Sequence, residues 1–209
     1  AADCIQAEDI SGAFPLSPTQ AGMLFHSLLA PTAGIYLEQI IWRLDGEIDI
    51  PAFERAWQRV VDHHEILRTS FSWEGLERPL QTVQHHVALP FQQHDWRELS
   101  QLEQESRLES FVLADREAGF NFSQPPLMRV ALIRVAKNSY RLICTNHHAL
   151  LDGWSQSLVL KQVFSVYRAL AGGAWFLDTP IDLDSKDAYV SIAGRWIVEL
   201  AELEALRGA

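Results

Sequence analysis

The sequence has few cysteines and no long apolar segment. Its two cysteines, Cys4 and Cys144, are too few for the disulfide framework that holds a small secreted domain together. No apolar run approaches the roughly 20 residues that a membrane-spanning helix needs. We therefore expect neither a disulfide-stapled protein nor a membrane span.

Basic residues are scarce as well. Lys and Arg number 17 against 27 Asp and Glu, which gives a formal net charge of -10. Binding to a phosphate backbone depends on clustered cations that release counterions, so nucleic acid is not an expected partner. The first ten residues lack the basic and apolar stretches of a signal peptide, and a cytoplasmic location is the expectation.

The residues that are present have the composition of a folded domain. Hydrophobic residues make up 48% of the chain and charged residues 21%, with ten Phe and seven Trp. A chain of 209 residues is long enough for one substantial domain. Because no repeat or Gly/Ser-rich linker divides it, we interpret residues 1–10 as a tail and 11–209 as one structural unit.

Hydrophobic periodicity predicts alternating helices and strands. Helices are expected over residues 19–29, 51–64, 102–119 and 153–170, and strands over 35–44, 68–73, 80–83, 127–135 and 140–145. The helix over 102–119 should bury an apolar face formed by Leu102, Leu108, Phe111, Val112 and Leu113. Elements mixed in this order predict an α/β (α+β) sandwich, a mixed sheet flanked by helices.

The most informative segment lies where the last strand turns into the last helix. Because side chains alternate along a strand, His147 and His148 should point to opposite faces. One ring can then lie in the core as a hydrogen-bonded orienter, while the other projects into a cleft as a base. A satisfied pair of core histidines remains an alternative, as does a metal site formed with Asp152.

Two further residues follow in the same segment. Asp152 lies in an apolar context, so we expect it to be desolvated and to need a cation or several amide donors. Gly153 is expected to allow a tight turn and to leave a backbone N–H at the start of a helix, where it could face a developing oxyanion.

Three signatures in this order resemble one protein family. The segment from His147 to Gly153 matches the His-His-three-residues-Asp-Gly motif of condensation domains of nonribosomal peptide synthetases, and Trp154 and Ser155 fit it as well. Residues 15–26 resemble the family's first signature and residues 63–71 its second. Residues 121–129, between the second and third signatures, are family-like too.

The resemblance implies a chloramphenicol-acetyltransferase-like fold of two lobes with a tunnel between them. All matches belong to the N-terminal half, so the chain resembles a single N-terminal lobe that lacks its C-terminal lobe. Residues 184–207 would then form a helix leading toward that second lobe. The implied activity is amide bond formation between a donor thioester and an aminoacyl acceptor, for which the isolated lobe is expected to be inactive.

The same resemblance implies partners and site roles. Carrier-protein domains would deliver both substrates on phosphopantetheine, in an assembly line that includes an adenylation domain, and no intrinsic cofactor or metal is expected. His148 would be the catalytic or positioning base, His147 a mainly structural histidine, and Gly153 would lie close to the thioester. Trp154 and Ser155 would contribute to substrate binding.

One contact follows from both lines of argument. In the family, the arginine of the second signature, here Arg68, is the partner of the structural aspartate, here Asp152. Arg68 would supply the cationic partner that a desolvated Asp152 needs, so we expect a buried Arg68–Asp152 ion pair.

Two other functions stay open. The first is an epimerization domain or a related acyltransferase of the same fold, although Gly153-Trp154-Ser155 looks more like a condensation domain. A heterocyclization domain would replace both histidines with carboxylates, which this chain does not do. The second is a non-catalytic module that docks carrier proteins or pairs with itself.

Overall fold

The described residues form two sheets and four α-helices. The computed structural model describes residues 9–31 and 33–171, so residues 1–8 of the expected tail, which include Cys4, and the helix expected over 184–207 lie outside the described residues. Residue 10, the last of that tail, belongs to the first strand. The strands are β1 (Ile10–Pro15), β2 (Leu37–Asp45), β3 (Thr69–Ser72), β4 (Leu80–Gln84), β5 (Phe91–Asp95), β6 (Met128–Ala136) and β7 (Ser139–His147). The helices are α1 (Pro18–Leu29), α2 (Ile50–His63), α3 (Gln101–Ala118) and α4 (Gly153–Leu170), with a short 3-10 helix at Glu65–Arg68.

The larger sheet has the strand order β2-β7-β6-β5. β7 pairs antiparallel with both neighbours, whereas β5 pairs parallel with β6 at the edge. A three-stranded antiparallel sheet, in the order β1-β4-β3, stands apart from it. Mixed sheets flanked by helices confirm the predicted fold class.

The main core lies between the larger sheet and helices α2 and α4. Phe53 of α2 is fully buried and contacts Phe164 and Tyr167 of α4, with ring centroids 5.8 and 5.3 Å apart. The Tyr167 hydroxyl also accepts a hydrogen bond from the backbone N–H of Asp49, the residue that caps α2, at 2.9 Å. These contacts fix α4, and with it the segment that leads into α4 from β7.

A polar network joins α3 to the opposite face of the sheet. Asp115 of α3 lies 2.5 Å from Arg129 Nε on β6 and accepts hydrogen bonds from Thr145 on β7 at 2.6 Å and from Gln39 on β2 at 2.8 Å. One carboxylate therefore ties a helix to three strands. Because both members of the ion pair are largely buried, this network fixes the position of β2 against β7.

The structure corrects several sequence predictions. Strands β1 and β5 are unpredicted, because β1 is mostly exposed and β5 is a polar edge strand without apolar alternation. The buried apolar face of α3 is also narrower than expected. Leu108, Phe111 and Val112 pack on the sheet, as predicted. Leu102 and Leu113, however, are 76% and 58% exposed. They are exposed because both residues lie off the stripe that Leu108, Phe111, Val112 and Asp115 form at helical spacing.

Other predicted elements match closely. Ser17 caps α1 with Pro18 in the first turn, as predicted, and the β6–β7 hairpin turns at Lys137-Asn138. Within residues 9–31 and 33–171, no helix combines the length and the apolar character that crossing a membrane requires.

Candidate active site

The candidate site lies at the end of the central strand β7. The backbone N–H of His147, the last residue of β7, donates to the Leu127 carbonyl at 3.0 Å. The N–H of His148 donates in the other direction, to the Tyr36 carbonyl just before β2, at 2.7 Å. Both histidines are therefore fixed by backbone hydrogen bonds on the two sides of the strand.

His147 lies in the core. The residue is 3% exposed, and its ring packs edge-on against Phe122 with centroids 4.8 Å apart. Its Nδ1 accepts the N–H of Ala149 at 3.2 Å, and its Nε2 lies 3.1 Å from the Ser27 hydroxyl. Since the Ser27 hydroxyl already donates to the Met23 carbonyl at 2.7 Å, the hydrogen-bond network assigns the proton to Nε2.

The surroundings of His147 keep its ring neutral. Burial, with a smaller contribution from the neighbouring charge of His148, lowers the pKa of His147 to about 4. A neutral ring with one donor and one acceptor satisfies the network without an unpaired charge. His147 therefore acts as a structural link between α1 and the end of β7.

His148 lies in a different environment. Its side chain is 32% exposed, and its Nδ1 lies 2.8 Å from Glu38 Oε1 on β2. The contact does not have the geometry of a hydrogen bond, so it is an ion pair when the ring is protonated. Glu38 raises the pKa of His148, burial opposes this shift, and the Asp152 charge adds to it. The placement matches the expected division between a core ring and a projecting ring.

Tyr36 supports this arrangement with an unusual backbone. Its φ is 62°, in the left-handed region, which non-glycine residues rarely adopt. The turn that contains it begins at Gly34, whose φ of 60° suits glycine. The conformation directs the Tyr36 carbonyl at the His148 N–H, while the Tyr36 hydroxyl lies 3.1 Å from His26 Nδ1. A sparsely populated conformation is thus held next to the projecting histidine.

The structure contradicts the expected burial of Asp152. The residue is exposed and forms the N-cap of α4, where its carboxylate accepts the Ser155 N–H at 2.7 Å. Ser155 lowers the pKa of Asp152, first through its side chain and then through this backbone N–H, and the charge of His148 adds a smaller contribution. Backbone amides at the helix N-terminus thus satisfy the carboxylate, and a buried cation is not needed.

The predicted Arg68–Asp152 ion pair does not form. Arg68 is buried, as expected, but its guanidinium donates to the backbone carbonyls of Gln84 and His85 at the end of β4. Among the ion pairs of the described residues, none joins Arg68 to Asp152. Backbone groups replace the ion pair on both sides, through Nη1 of Arg68 and through the Ser155 N–H at Asp152, although Arg68 Nε is buried without a hydrogen bond. The predicted ion pair is therefore wrong for this structure.

The tight-turn role of Gly153 is not needed here either. Gly153 is the first residue of α4, and its φ lies outside the left-handed region. A Cβ built at this position meets nothing within 4 Å, so the space beside Gly153 is open. Trp154 next to it is 74% exposed, while Ser155 is half-buried.

Sequence reasoning missed three residues of the site: Ser27, Tyr36 and Glu38. Glu38 gave the clearest sequence signal, because it is a carboxylate inside strand β2, two residues before the apolar residues that start at Ile40. The metal alternative finds no support in residues 9–31 and 33–171, where no three His, Cys, Asp or Glu side chains form a group that could hold an ion.

The described residues thus combine a mixed sheet with a pair of histidines at the end of its inner strand β7. A family model described as "Condensation domain" matches residues 10–182. The chain belongs to this family, the condensation domains of nonribosomal peptide synthetases. A second model, the virulence-associated protein E-like domain, matches residues 161–209 and so overlaps the first at its C-terminal end.

Curated relatives are far longer than this chain. It is 46% identical over 168 residues to a linear gramicidin synthase of Brevibacillus parabrevis, a match that covers 80% of this chain and 2% of that protein. It is 37% identical over 171 residues to bacitracin synthase 1 of Bacillus licheniformis, which covers 82% of this chain and 3% of that protein. The chain therefore spans only a few percent of the length of these relatives.

Solved structures show the same fold. The starter condensation domain of rhizomide synthetase superposes with a TM-score of 0.71 at 23% identity, covering 94% of this chain and 45% of that one. The first condensation domain of the calcium-dependent antibiotic synthetase gives 0.71 at 20% identity, covering 95% and 44%. The chain thus covers less than half of each of these solved chains.

We expect Asp152→Ala to cost about 1 kcal/mol of folding free energy, the usual cost of losing an N-cap, rather than the several kcal/mol of a broken buried ion pair. Asp152→Asn is the matched control, because its side-chain oxygen can still cap α4. Because the folded-state pKa of Asp152 is lowered, the contribution is present at neutral pH and lost as the pH falls through that pKa. Urea unfolding of both variants measures the effect, and a loss above about 3 kcal/mol in Asp152→Ala would contradict the capping role.

His147 should make the protein less stable in acid. In the unfolded chain the His147 ring has its ordinary pKa of 6.5, whereas in the folded protein its pKa is about 4. The unfolded state therefore binds the proton first, and the free energy of unfolding should fall by on the order of 3 kcal/mol as the pH drops from 6.5 to 4.

The variant His147→Asn isolates this effect. Its free energy of unfolding, measured by urea titration at each pH, should lack the part of the slope that His147 contributes. His63→Asn, which changes an exposed histidine, should retain the wild-type slope. Equal slopes in wild type and His147→Asn would show that the buried ring is not held neutral.

Proposed function

We propose that this chain is the N-terminal lobe of a condensation domain that joins a carrier-bound acyl or aminoacyl thioester to the amine of a carrier-bound aminoacyl acceptor. The observation that supports this most strongly is the unequal environment of the two histidines. His147 is buried and neutral, while His148 is half-exposed with one ring nitrogen next to a carboxylate. In this proposal His148 is the ring that meets a substrate.

His148 performs the proton transfer in this proposal. Its Nε2 has no partner within the described part of the chain, whereas Nδ1 lies beside Glu38. As the acceptor amine forms its bond to the thioester carbonyl, Nε2 takes the proton that the amine nitrogen loses. The carbon–sulfur bond then breaks, and the proton passes to the leaving thiolate. A base of this kind contributes about 10²- to 10⁴-fold to a rate.

The thioesters arrive on phosphopantetheine arms of carrier-protein domains, which act as substrates of the lobe. In this proposal the end of such an arm lies in the open space beside Gly153, where an added Cβ would meet no atom within 4 Å. Exposed Trp154 and half-buried Ser155 border this space in sequence and are proposed to contact the substrate. Adenylation domains of the same assembly line would load the carriers.

The C-terminal lobe is the proposed partner of the site. Large apolar side chains are exposed on the two helices next to the histidines: Phe25 (61%) and Leu29 (73%) on α1, and Trp154 (74%) and Leu158 (45%) on α4. Exposed apolar side chains of this size are typical of a surface that another protein covers. Since the chain spans 45% of a solved condensation domain, the missing half is the natural cover.

The test is amide formation from carrier-bound thioesters, with mass detection of the product. We expect product when the chain is joined to its C-terminal lobe and none from the chain alone. In the two-lobed protein, His148→Ala should lower the rate about 10²- to 10⁴-fold, while the exposed-histidine control His63→Ala leaves it unchanged.

Two results would contradict the proposal. A wild-type rate in two-lobed His148→Ala would remove the base role of His148. An epimerised substrate without amide product would assign the lobe to an epimerization domain instead.

A further inference from the structure

Glu38 lies on the same face of the sheet as the start of α4. Its neighbour Gln39 reaches α3 on the opposite face, where it donates to the Val112 carbonyl at 3.1 Å. Side chains alternate along a strand, so Glu38 faces away from α3. Its cross-strand partner is Asn146, which bonds Gln156 of α4 at 2.8 Å. The register therefore places the carboxylate between the end of β7 and α4.

The Glu38 carboxylate has one ionic partner. In residues 9–31 and 33–171 its only ion pair is with His148, at 2.8 Å, and its second oxygen, Oε2, is buried without a hydrogen bond. Asp115, the carboxylate on the other face, is by contrast fully used in holding α3. Glu38 thus contributes no comparable link between elements of the fold.

The strand around Glu38 is held firmly. Arg116 of α3 donates to the Leu37 carbonyl at 3.3 Å and to Gln39 Oε1 at 3.4 Å, so both neighbours of Glu38 are anchored. The Tyr36 carbonyl, two residues before Glu38, holds the His148 backbone. One short segment of β2 and its preceding turn therefore contacts both the backbone and the ring of His148.

We propose that Glu38 is a positioning residue for His148, whose carboxylate holds the Nδ1 side of the ring so that Nε2 is the nitrogen left to the reacting amine. This inference rests on the proposed function. Glu38 touches neither substrate, and no proton transfers to it: when Nε2 takes the amine proton, the resulting imidazolium is stabilised by the carboxylate beside Nδ1 until the proton passes to the leaving thiolate.

Three charged or titratable groups surround the His148 ring. Glu38 approaches it from β2, Asp152 from the N-terminus of α4, and His147 precedes it in the chain. Both carboxylates raise the pKa of His148, and the contribution of Glu38 is the larger. Removing Glu38 alone should therefore lower the pH at which the ring loses its proton.

The experiment compares Glu38→Gln with Glu77→Gln, which removes an equal charge at an exposed position. In the two-lobed protein we expect kcat of Glu38→Gln to fall about tenfold, a fraction of the full contribution of the base, with KM little changed. The acid limb of its pH–rate profile should move to lower pH. Glu38→Asp, which keeps the carboxylate, should keep the limb near its wild-type position. Glu77→Gln should match wild type.

A second readout does not depend on catalysis. Nitrogen-15 NMR of the histidine rings in the 209-residue chain should show a lower pKa for His148 in Glu38→Gln than in Glu77→Gln. An equal His148 pKa in the two variants would overturn the positioning role of Glu38, even if His148→Ala is inactive. A fall in kcat without movement of the acid limb would do the same, because it would indicate a structural effect alone.

Discussion

The position of β7 between two antiparallel neighbours is the constraint on which the site depends. Pairing continues through His147, with hydrogen bonds to Leu127 on one side and Tyr36 on the other at the strand's end. A strand held on both edges cannot slip in register without moving every side chain to the opposite face. Consecutive histidines at its end are therefore forced into different surroundings, one toward the core and one toward the open edge.

Those surroundings give two identical side chains opposite properties. Burial against Phe122 and the Ser27 hydroxyl lowers the pKa of His147 to about 4, whereas Glu38 raises the pKa of His148. The first ring stays neutral and links α1 to the end of β7, while the second lies partly exposed beside a carboxylate. This division of roles arises from contacts within the described part of the chain.

Local patterns were enough to predict most of the fold and the two histidines. Periodicity identified the helices and β7, and the alternation along β7 separated His147 from His148. Contacts between distant segments could not be predicted from local patterns. Glu38 and His148 are 110 positions apart, and they meet because of the register between β2 and β7. The Arg68–Asp152 error has the same origin, because backbone carbonyls and amides that satisfy each charge have no residue signature. The polar edge strand β5 was missed as well. It is a strand because it pairs with β6, and its own sequence has no strand pattern.

The protonation state of both rings in the unmodified chain, measured by nitrogen-15 NMR at a pH midway between 4 and 6.5, tests this division of roles most directly. We expect His147 to be neutral with its proton on Nε2, while His148 is positively charged. Equal protonation of the two rings, or a His147 proton on Nδ1, would contradict it.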